Sequence, residues 1–502
     1  MRNRVSFFLN GEPVDVSGPE AALTLSDFLR EHRRMTGTKV VCAEGDCGAC
    51  TVLCARPRDG MPFRYRSLDS CIQFVYQLDG AHVVTVEGLS DGDELHPVQQ
   101  SMVDHFGSQC GFCTPGFVGA LTELAEVHSG GGAMLEESAL RRGLTGNLCR
   151  CTGYVQILEA GRSLDLASYS PLSARYDEDA IASALRERCA DSAGVPLGGA
   201  TAYLPRSLPE ALALRAAHPE ARIVAGATDL GVQNNKGRLP PGDRIVLGGV
   251  PELRRTSREE NCLSLGAAAS WSAVRRAVAE DFPQFDRLLD LFGAPQIRHA
   301  GTLGGNLMNA SPIADSLPFF FVTDSIFEVA GLRGARYVAA ADFYKGYKET
   351  ALAPDELLVR VKVPLEAAAD DVRLLKVSRR RDLDISTFTA ALLLRTDGDR
   401  ITVARVALGG VGPVVLRLPR TERLLEGETL SEELFARAGA EARSEIEPIS
   451  DVRGAADYRL RLAENALRRF GFETLAEREG ESLPQTTTAV ASESPSPDEV
   501  PL

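Results

Sequence analysis

Eight of the chain's 11 cysteines fall into two groups of four, and the spacing within each group suits metal binding. The first quartet has the pattern C-x4-C-x2-C followed by a distant cysteine, and comprises Cys42, Cys47, Cys50 and Cys71. The second quartet combines a C-x2-C pair with a C-x-C pair, and comprises Cys110, Cys113, Cys149 and Cys151. The first spacing is the plant-type one that holds a [2Fe–2S] cluster on four thiolates. Two quartets in tandem predict a path for single electrons, so other parts of the chain should supply or bind a donor and an acceptor.

Disulfide bonds and structural zinc are the alternative interpretations of these cysteines. Disulfide scaffolds are short and dense in cysteine, whereas this chain has 11 cysteines in 502 residues. Zinc is the stronger alternative because paired CxxC motifs also describe zinc ribbons. The two cysteine pairs of a zinc site usually have similar spacing, however. Here Cys71 has no cysteine close to it in sequence, and Cys149 and Cys151 are separated by a single residue. Gly45 and Gly48 also favour iron in the first quartet, since a loop around a cluster needs tight turns and N–H groups close to sulfur.

Length and charge exclude several classes of protein. At about 100–200 residues per domain, 502 residues predict three or four domains. The net charge of −14 lacks the basic footprint of a nucleic-acid-binding protein. No apolar run approaches the roughly 20 residues of a membrane helix, so we expect no membrane association. Thiols kept reduced for metal binding indicate a cytoplasmic location.

Hydrophobic patterns divide the chain into six segments. Residues 1–88 alternate like strands around one helix near residues 25–33, which predicts a small α+β domain that carries the first quartet. Residues 89–169 contain four short helical patterns with the second quartet at their ends, which predicts a bundle. A polar linker (170–198), a mixed domain (199–366), a smaller α+β unit (370–478) and a disordered tail (482–502) complete the prediction.

Two glycine loops provide a second kind of chemistry. They span residues 226–229 and 301–306, and each could bring backbone N–H groups to a phosphate. The chain has no G-x-G-x-x-G fingerprint, so the dinucleotide fold that this motif marks is not indicated. Glycine loops are more often plain turns. Beside two iron–sulfur quartets they suggest a flavin, because a flavin converts single-electron transfer into two-electron chemistry.

Six motifs are spread along the chain between residues 42 and 386: CAEGDCGACTV, QCGFCTPG, GNLCRCTGY, VAGATDLG, AGTLGGNLMNASPIAD and KVSRRRDLDIS. They resemble the iron–sulfur and FAD subunit of the bacterial xanthine dehydrogenases, within the molybdenum hydroxylase family. The resemblance implies a multidomain α+β fold with a β-grasp ferredoxin-like domain, a four-helix iron–sulfur bundle and a vanillyl-alcohol-oxidase-type FAD domain with a C-terminal α+β subdomain. It also implies [2Fe–2S] clusters in both quartets, FAD, NAD+ as acceptor, and a molybdopterin-binding large subunit in a heterotetramer of two small and two large subunits.

The resemblance further implies roles for individual residues. Contacts with FAD would come from Ile223, Val224, Ala225, Gly226, Ala227, Thr228, Asp229, Leu230, Phe292, Thr302, Leu303, Gly304, Gly305, Asn306, Asp315, Leu358 and Lys376. Gln109 would face the partner's pterin. Asp229, Arg381 and Asp382 would act in catalysis beside the flavin and the nicotinamide, although by pattern alone the charged run at 379–382 is equally a solvated strand end.

The chain departs from the family pattern at two places. It has Ala227-Thr228-Asp229 where Asn-Thr-Glu is frequent, and Asp229 is one methylene shorter than glutamate. His299 replaces a frequent asparagine, and its simplest interpretation is a polar surface residue.

The function implied is electron transfer in purine oxidation. Electrons from hypoxanthine or xanthine at the partner's molybdenum site would pass through the second quartet, the first quartet and FAD to NAD+. One alternative is the equivalent subunit of a related hydroxylase for aldehydes or other heterocycles. The other, from a different class, is a non-enzymatic redox sensor or a zinc scaffold.

Overall fold

A computed structural model describes residues 2–57, 61–129, 134–481 and 488–490. It divides into two compact units, of which the first is Met1–Leu253 with Ala294–Thr302 and the second is Arg254–Gly293 with Leu303–Leu502. Each unit combines helices with β-sheets. The multidomain α+β fold class predicted from the sequence is therefore confirmed.

A five-stranded sheet begins the first unit. In spatial order its strands are Glu12–Val16, Val5–Leu9, His82–Val84, Thr51–Ala55 and Arg66–Asp69. The first and last strands along the chain pair in parallel and the other pairs are antiparallel, as in a β-grasp sheet. A short helix, Leu25–Asp27, continues as a π-helix over Phe28–His32, and the side chain of Thr24 caps it by accepting a hydrogen bond from the Asp27 N–H.

Four helices follow, as the sequence predicts, after a single turn at Val86–Leu89. They are Pro97–Asp104, Thr114–His128, Glu137–Gly143 and Val155–Arg162. Their apolar faces share one core, in which Met102, Phe117, Leu121, Leu140 and Ile157 are buried. The cysteines of the second quartet immediately precede two of these helices, so helix packing fixes where the two cysteine pairs lie.

Residues 170–198 form ordered structure in place of the predicted linker. They contain the helices Leu172–Arg175 and Glu178–Arg188 and the strand Ala193–Pro196. The longer helix is capped by the Asp177 side chain, and its Ile181, Ala182 and Leu185 are buried in the core of the helical domain. The linker prediction was wrong because many polar residues on the outer face concealed this narrow apolar stripe.

A four-stranded sheet completes the first unit. Its strands lie in the order Ala193–Pro196, Thr201–Leu204, Arg244–Val246 and Arg222–Val224, and the last three are parallel. The helices Leu208–Ala217 and Thr228–Asn235 connect the parallel strands, and a single turn, Pro251–Arg254, follows them. The helix Pro295–Ala300 also belongs to this unit.

Two five-stranded sheets form the second unit. The first is antiparallel, in the order Thr256–Arg258, Cys262–Gly266, Leu357–Pro364, Ile326–Gly331 and Gly334–Ala339. The second has the order Leu416–Arg417, Arg400–Gly409, Phe388–Asp397, Asp371–Ser378 and Thr488–Val490. A hairpin pairs Tyr344–Gly346 with Glu349–Thr350. The helices of this unit are Trp271–Val278, Pro283–Asp290, Leu303–Asn309, Leu317–Val322, Ala340–Phe343, Pro419–Leu425, Glu432–Ser444 and Ala456–Arg478.

The strand Thr488–Val490 lies within the segment 482–502, which the sequence predicts to be a disordered tail. It pairs in parallel with Asp371–Ser378. That neighbour would otherwise present unpaired N–H and C=O groups at the sheet edge, and a further strand satisfies them. The prediction was therefore wrong for these three residues, and the rest of the segment lies outside the described residues.

Across the described ranges, no helix combines the length and the apolar character needed to cross a membrane.

A buried ionic network joins three segments of the first unit. Glu123, on the helix Thr114–His128, accepts hydrogen bonds from Arg66 at 2.8 Å and from the Ser67 N–H at 2.9 Å, and its carboxylate lies 2.9 Å from His299 Nε2. His299 is only 11% exposed, so it is not the polar surface residue that its sequence context suggests. Burial by itself raises the pKa of Glu123, but His299, Arg66 and Ser67 together lower it well below the usual glutamate range.

Replacing Glu123 with alanine should lower the free energy of unfolding by about 3–5 kcal/mol at neutral pH, because it removes the buried carboxylate that Arg66 and His299 contact. The depressed pKa means that the stabilisation is present above the usual carboxyl range and is lost as the pH falls below it. Urea unfolding of both proteins between pH 7 and about pH 3 measures the effect, and the difference between them should shrink at acid pH. Glu137→Ala, which removes surface ion pairs to Arg141 and Arg162, is the matched control. Equal losses in the two variants would contradict the role of the buried network.

Candidate functional site

The first quartet is assembled beside the N-terminal sheet. Cys42, Cys47 and Cys50 lie on the loop that precedes the strand Thr51–Ala55, and Cys71 follows the adjacent strand in a 3₁₀ turn. The Cys42 thiol is within hydrogen-bonding distance of Cys47 and Cys71, and Cys71 also contacts Cys50. Cys50 and Cys71 are buried, whereas the other two are partly exposed. The structure therefore brings all four predicted ligands together.

The loop of the first quartet directs backbone N–H groups at sulfur. The N–H groups of Glu44 and Asp46 each lie 3.4 Å from Cys42 Sγ. Gly45 and Gly48 have positive φ angles of 73° and 65°, a conformation that residues with a Cβ adopt only with strain. Hydrogen bonds from Cys47, then Cys71, and then these N–H groups lower the pKa of the Cys42 thiol. Such N–H···S contacts suit a thiolate that carries part of a cluster's negative charge.

The second quartet is also assembled, at the ends of the helical domain. Cys113 contacts Cys149, and Cys110 contacts Cys151. Cys110 and Cys151 are exposed, and burial raises the pKa of Cys113 to about 12. Cys149 Sγ accepts hydrogen bonds from Thr152 Oγ1 at 3.2 Å and from the Thr152 N–H at 3.5 Å. Burial raises the pKa of Cys149, but these two hydrogen bonds lower it overall.

The donor chemistry of both quartets fits iron–sulfur clusters. All eight cysteines are free of disulfide bonds. Within the described part of the chain, no group of three or more His, Cys, Asp or Glu side chains is spaced to hold a single metal ion. A [2Fe–2S] cluster spreads its four thiolates over two irons, so it does not require that single-ion spacing. Thiol-only donors together with N–H···S contacts match such a cluster.

The two cysteine loops contact each other directly. The Leu148 N–H donates to the carbonyl oxygen of Cys47 at 3.0 Å. Asn147 Nδ2 donates to the Gly48 carbonyl at 3.1 Å. A Cβ on Gly116 would lie 2.0 Å from the same Gly48 oxygen, so the helix that begins after Cys113 also packs on the first loop. The sequence predicts the quartets in separate domains and gives no signal of these contacts.

The helix Thr228–Asn235 packs on the first quartet. Asn235 Nδ2 donates to the carbonyl oxygens of Ala43 and Cys71, both at 2.8 Å. A Cβ on Gly231 would lie 2.4 Å from the Ile72 carbonyl oxygen, so the helix approaches the 3₁₀ turn that carries Cys71 very closely. Asn235 could not be predicted from the sequence, because an asparagine in the last turn of a helix gives no local signal of a distant partner.

The glycine turn before this helix could bring backbone N–H groups to a phosphate. The strand Arg222–Val224 leads into Gly226 and Ala227, and Ala227 has a left-handed φ of 59°. A Cβ on Gly226 would lie 2.2 Å from the Ala300 carbonyl oxygen, so this position needs glycine. The turn ends at the N-terminus of an eight-residue helix, where backbone N–H groups suit an anion. These residues are part of the predicted FAD segment 223–230.

Asp229 and Gln109 are both exposed, on different parts of the first unit. The Asp229 carboxylate, for which the resemblance implies a catalytic role, accepts a hydrogen bond from Gln233 at 2.6 Å. Gln109 immediately precedes the exposed Cys110. Thr302 is buried in the same unit.

The second unit brings together two predicted FAD residues, Asp315 and Lys376. Lys376 Nζ donates to the Asp315 carboxylate at 2.6 Å and to the Asp384 carbonyl at 2.9 Å. Ser386 Oγ donates to the other Asp315 oxygen at 2.5 Å. Lys376 is only 2% exposed, so this ion pair is a buried anchor for the segment 379–385. That segment carries Arg381, which is exposed, and Asp382, which is partly exposed.

The other predicted FAD residues of the second unit lie in ordered positions. Leu303 and Leu358 are buried in the core, and Phe292 packs against Trp271 with ring centroids 5.0 Å apart. The Gly304 N–H donates to the Ala267 carbonyl at 2.7 Å, while Gly305 is exposed. Asn306 accepts a hydrogen bond from Ser316 at 2.7 Å.

Four family models match successive parts of the chain. The 2Fe-2S iron-sulfur cluster binding domain matches residues 7–67, and the [2Fe-2S] binding domain matches 85–162. The FAD binding domain in molybdopterin dehydrogenase matches residues 198–366. The CO dehydrogenase flavoprotein C-terminal domain matches residues 373–474. The matches support two [2Fe–2S] centres and FAD in this chain.

Curated relatives include xanthine dehydrogenases that are much longer than this chain. The enzyme of Drosophila subobscura is 30% identical over 500 residues, which cover 88% of this chain and 37% of the relative. Xanthine dehydrogenase 1 of Arabidopsis thaliana is 30% identical over 517 residues, with 89% and 38% covered. The chain thus spans well under half of these eukaryotic relatives, so the likeness to a bacterial small subunit is not established by them.

Similar solved structures match about half of this chain and nearly the whole of the other chain. One chain of quinoline 2-oxidoreductase from Pseudomonas putida 86 is 31% identical with a TM-score of 0.51, covering 54% of this chain and 94% of that one. One chain of the Cu,Mo-CO dehydrogenase is 30% identical with a TM-score of 0.51, covering 53% and 94%. Together with the four domain matches, these similarities show that the chain belongs to the molybdenum hydroxylase family.

Proposed function

We propose that the chain is the electron-transfer subunit of a molybdenum hydroxylase of the xanthine dehydrogenase type. It carries electrons from a partner's molybdenum site through the second cluster, the first cluster and FAD to NAD+, during oxidation of hypoxanthine or xanthine. The observation that carries the proposal is a continuous series of contacts within the first unit. The loop of the second quartet contacts that of the first, and the first contacts the helix that follows the phosphate-type turn.

The cofactors divide the chemistry between them. When bound, the [2Fe–2S] clusters would carry single electrons, and FAD would combine two of them with a proton into the hydride that NAD+ accepts. This chain's residues hold and orient these groups. The two quartets supply the thiolates, the turn at 223–230 supplies N–H groups for the FAD pyrophosphate, and Asn235 fixes the backbone beside Cys71. The buried pair of Lys376 with Asp315 fixes the segment that presents Arg381.

A partner subunit supplies the substrate site in this proposal. Exposed large apolar residues lie close in sequence to Cys110 and Cys151, among them Phe106 (80% exposed), Phe112 (47%) and Val155 (60%). Exposed apolar groups beside a redox centre favour a docking surface. We assign this surface to a molybdopterin-binding large subunit whose pterin faces Gln109, in a heterotetramer of two small and two large subunits. Reduced thiols fit a cytoplasmic location.

The equivalent subunit of a hydroxylase for another substrate is the second candidate. It is favoured by the similarity to the chains from quinoline 2-oxidoreductase and CO dehydrogenase, which act on different compounds. A redox sensor or zinc scaffold is less consistent with the match to an FAD domain over 198–366. Identifying the subunit that co-purifies with this chain, followed by a substrate screen, distinguishes these functions.

The metal content of the purified chain tests the cofactor assignment. We expect about four irons per chain, from two clusters of two, with a paramagnetic signal after reduction. Replacing Cys262, which lies outside both quartets, with serine should leave the iron content unchanged. Stoichiometric zinc and no paramagnetic signal would contradict the assignment.

The proposed division of labour predicts a specific pattern of activities. The chain alone should not oxidise xanthine, because the molybdenum site is in the partner, but it should oxidise NADH with an artificial dye as acceptor. Steady-state assays of the FAD-loaded chain with each substrate measure both activities. Xanthine turnover by the isolated chain would refute the need for a partner.

Replacing Arg381 with alanine should weaken the use of NAD+ while leaving electron flow from xanthine to a dye nearly intact in the complex with the partner. The fixed positive charge of Arg381 can hold the anionic pyrophosphate of NAD+. Loss of a charge-assisted hydrogen bond should cost about 1.5–3 kcal/mol of transition-state stabilisation, and kcat/KM for NAD+ should fall accordingly.

Arg379→Ala is the matched control, because the Arg379 guanidinium donates to the Val452 carbonyl and lies in the same charged run. If Arg381→Ala reduced dye and NAD+ activities equally, Arg381 would support the fold or the flavin, and its assignment to NAD+ would be wrong.

A further inference from the structure

A pair of buried side-chain amides lies where the two cysteine loops meet. Gln296 is fully buried and Asn147 is 3% exposed. Gln296 Nε2 donates to Asn147 Oδ1 at 2.9 Å and to Thr51 Oγ1 at 3.3 Å. Asn147 Nδ2 in turn donates to the Gly48 carbonyl at 3.1 Å, and Thr51 Oγ1 donates to the same oxygen at 2.7 Å. The amide pair therefore connects the loop before Cys149 to the loop between Cys47 and Cys50.

The space around the amides is closely packed. A Cβ on Gly146 would lie 2.0 Å from Gln296 Oε1, and a Cβ on Gly48 would lie 2.3 Å from the Gly146 carbonyl oxygen. Gln296 Oε1 is buried and accepts no hydrogen bond from the described residues. A buried amide with an unsatisfied oxygen is not the most stable way to fill such a space. The presence of glutamine at position 296 is better explained by the two hydrogen bonds that its Nε2 donates.

The amide pair lies beside a backbone hydrogen bond that connects the two cysteine loops. The Leu148 N–H donates to the Cys47 carbonyl at 3.0 Å, and Leu148 is covalently bonded to Cys149. One hydrogen bond therefore joins a ligand of the first quartet to a ligand of the second, and the rest of this path consists of covalent bonds. A small shift of either loop would lengthen that single non-covalent step.

We propose that Asn147 and Gln296 are positioning residues for electron transfer between the two clusters. They hold the Leu148 N–H against the Cys47 carbonyl, and neither of them supplies a thiolate ligand. This inference rests on the proposed function, in which one electron leaves the reduced second cluster and enters the oxidised first cluster. No bond forms or breaks in that step, and its rate falls as the non-covalent gap widens.

Replacing Gln296 with methionine in the full chain tests the role of the amides. Methionine has a similar volume and a flexible side chain, but it cannot donate a hydrogen bond. We expect the variant to retain about four irons per chain. Electron equilibration between the clusters after rapid reduction should slow on the order of 10-fold, as a loss of positioning predicts. The magnetic interaction between the two reduced clusters, measured by electron paramagnetic resonance, should also weaken.

Two further variants make the test decisive. Gln99→Met makes the same substitution at a partly buried glutamine whose amide bonds to Val86 and His96 rather than to either cysteine loop, so it should leave the equilibration rate unchanged. Asn147→Ala removes the other member of the amide pair and should repeat the effect of Gln296→Met. Unchanged rate and magnetic interaction in both amide variants with full iron content would overturn the inference.

Loss of iron from both amide variants would also overturn it, because the amides would then be supporting cluster binding. Failure of the proposed function has a different signature. In that case the unaltered chain itself would lack two clusters, which its own iron content and paramagnetic spectrum report before any variant is made.

Discussion

Hydrogen bonds to the backbone carbonyl groups around the first quartet hold the neighbouring segments of the first unit in place. The Cys47 carbonyl accepts the Leu148 N–H, and the Gly48 carbonyl accepts Asn147. The carbonyls of Ala43 and Cys71 both accept Asn235. A loop around a cluster must turn its N–H groups inward to sulfur, which leaves its C=O groups facing outward. Neighbouring segments satisfy those carbonyls, and the same hydrogen bonds fix their distance from the cluster site.

Glycine makes these approaches possible. A Cβ on Gly116, Gly226 or Gly231 would lie between 2.0 and 2.4 Å from a backbone oxygen of another segment. At these positions the backbones themselves meet, so even alanine would force the segments apart. Around them, the buried carboxylate of Glu123 joins the helical domain to the first sheet and to the helix that carries His299. Close backbone contacts and a buried ionic network thus fix the distances between the segments of the first unit.

The parts of the structure that could be predicted from sequence are those with local signals. Cysteine spacing identified both quartets, a 3.6-residue period identified the four helices, and the turn at 226–227 followed from its glycine and its strand. The helix Glu178–Arg188 was missed because only three residues of its apolar face are buried among many charges. Asn235 and Gln296 were missed for a different reason. Their partners lie more than 100 residues away along the chain, and no local pattern reports such a contact.

The order of the redox centres is tested most directly by removing the first cluster and supplying electrons at the flavin. In a Cys42→Ala chain, dithionite should still produce the paramagnetic signal of the second cluster, which shows that this cluster is intact. The contact series predicts that NADH will reduce the flavin in this variant but will leave the second cluster oxidised on the timescale seen in the unaltered chain. Reduction of the second cluster by NADH at the unaltered rate would contradict a path that runs through the first quartet.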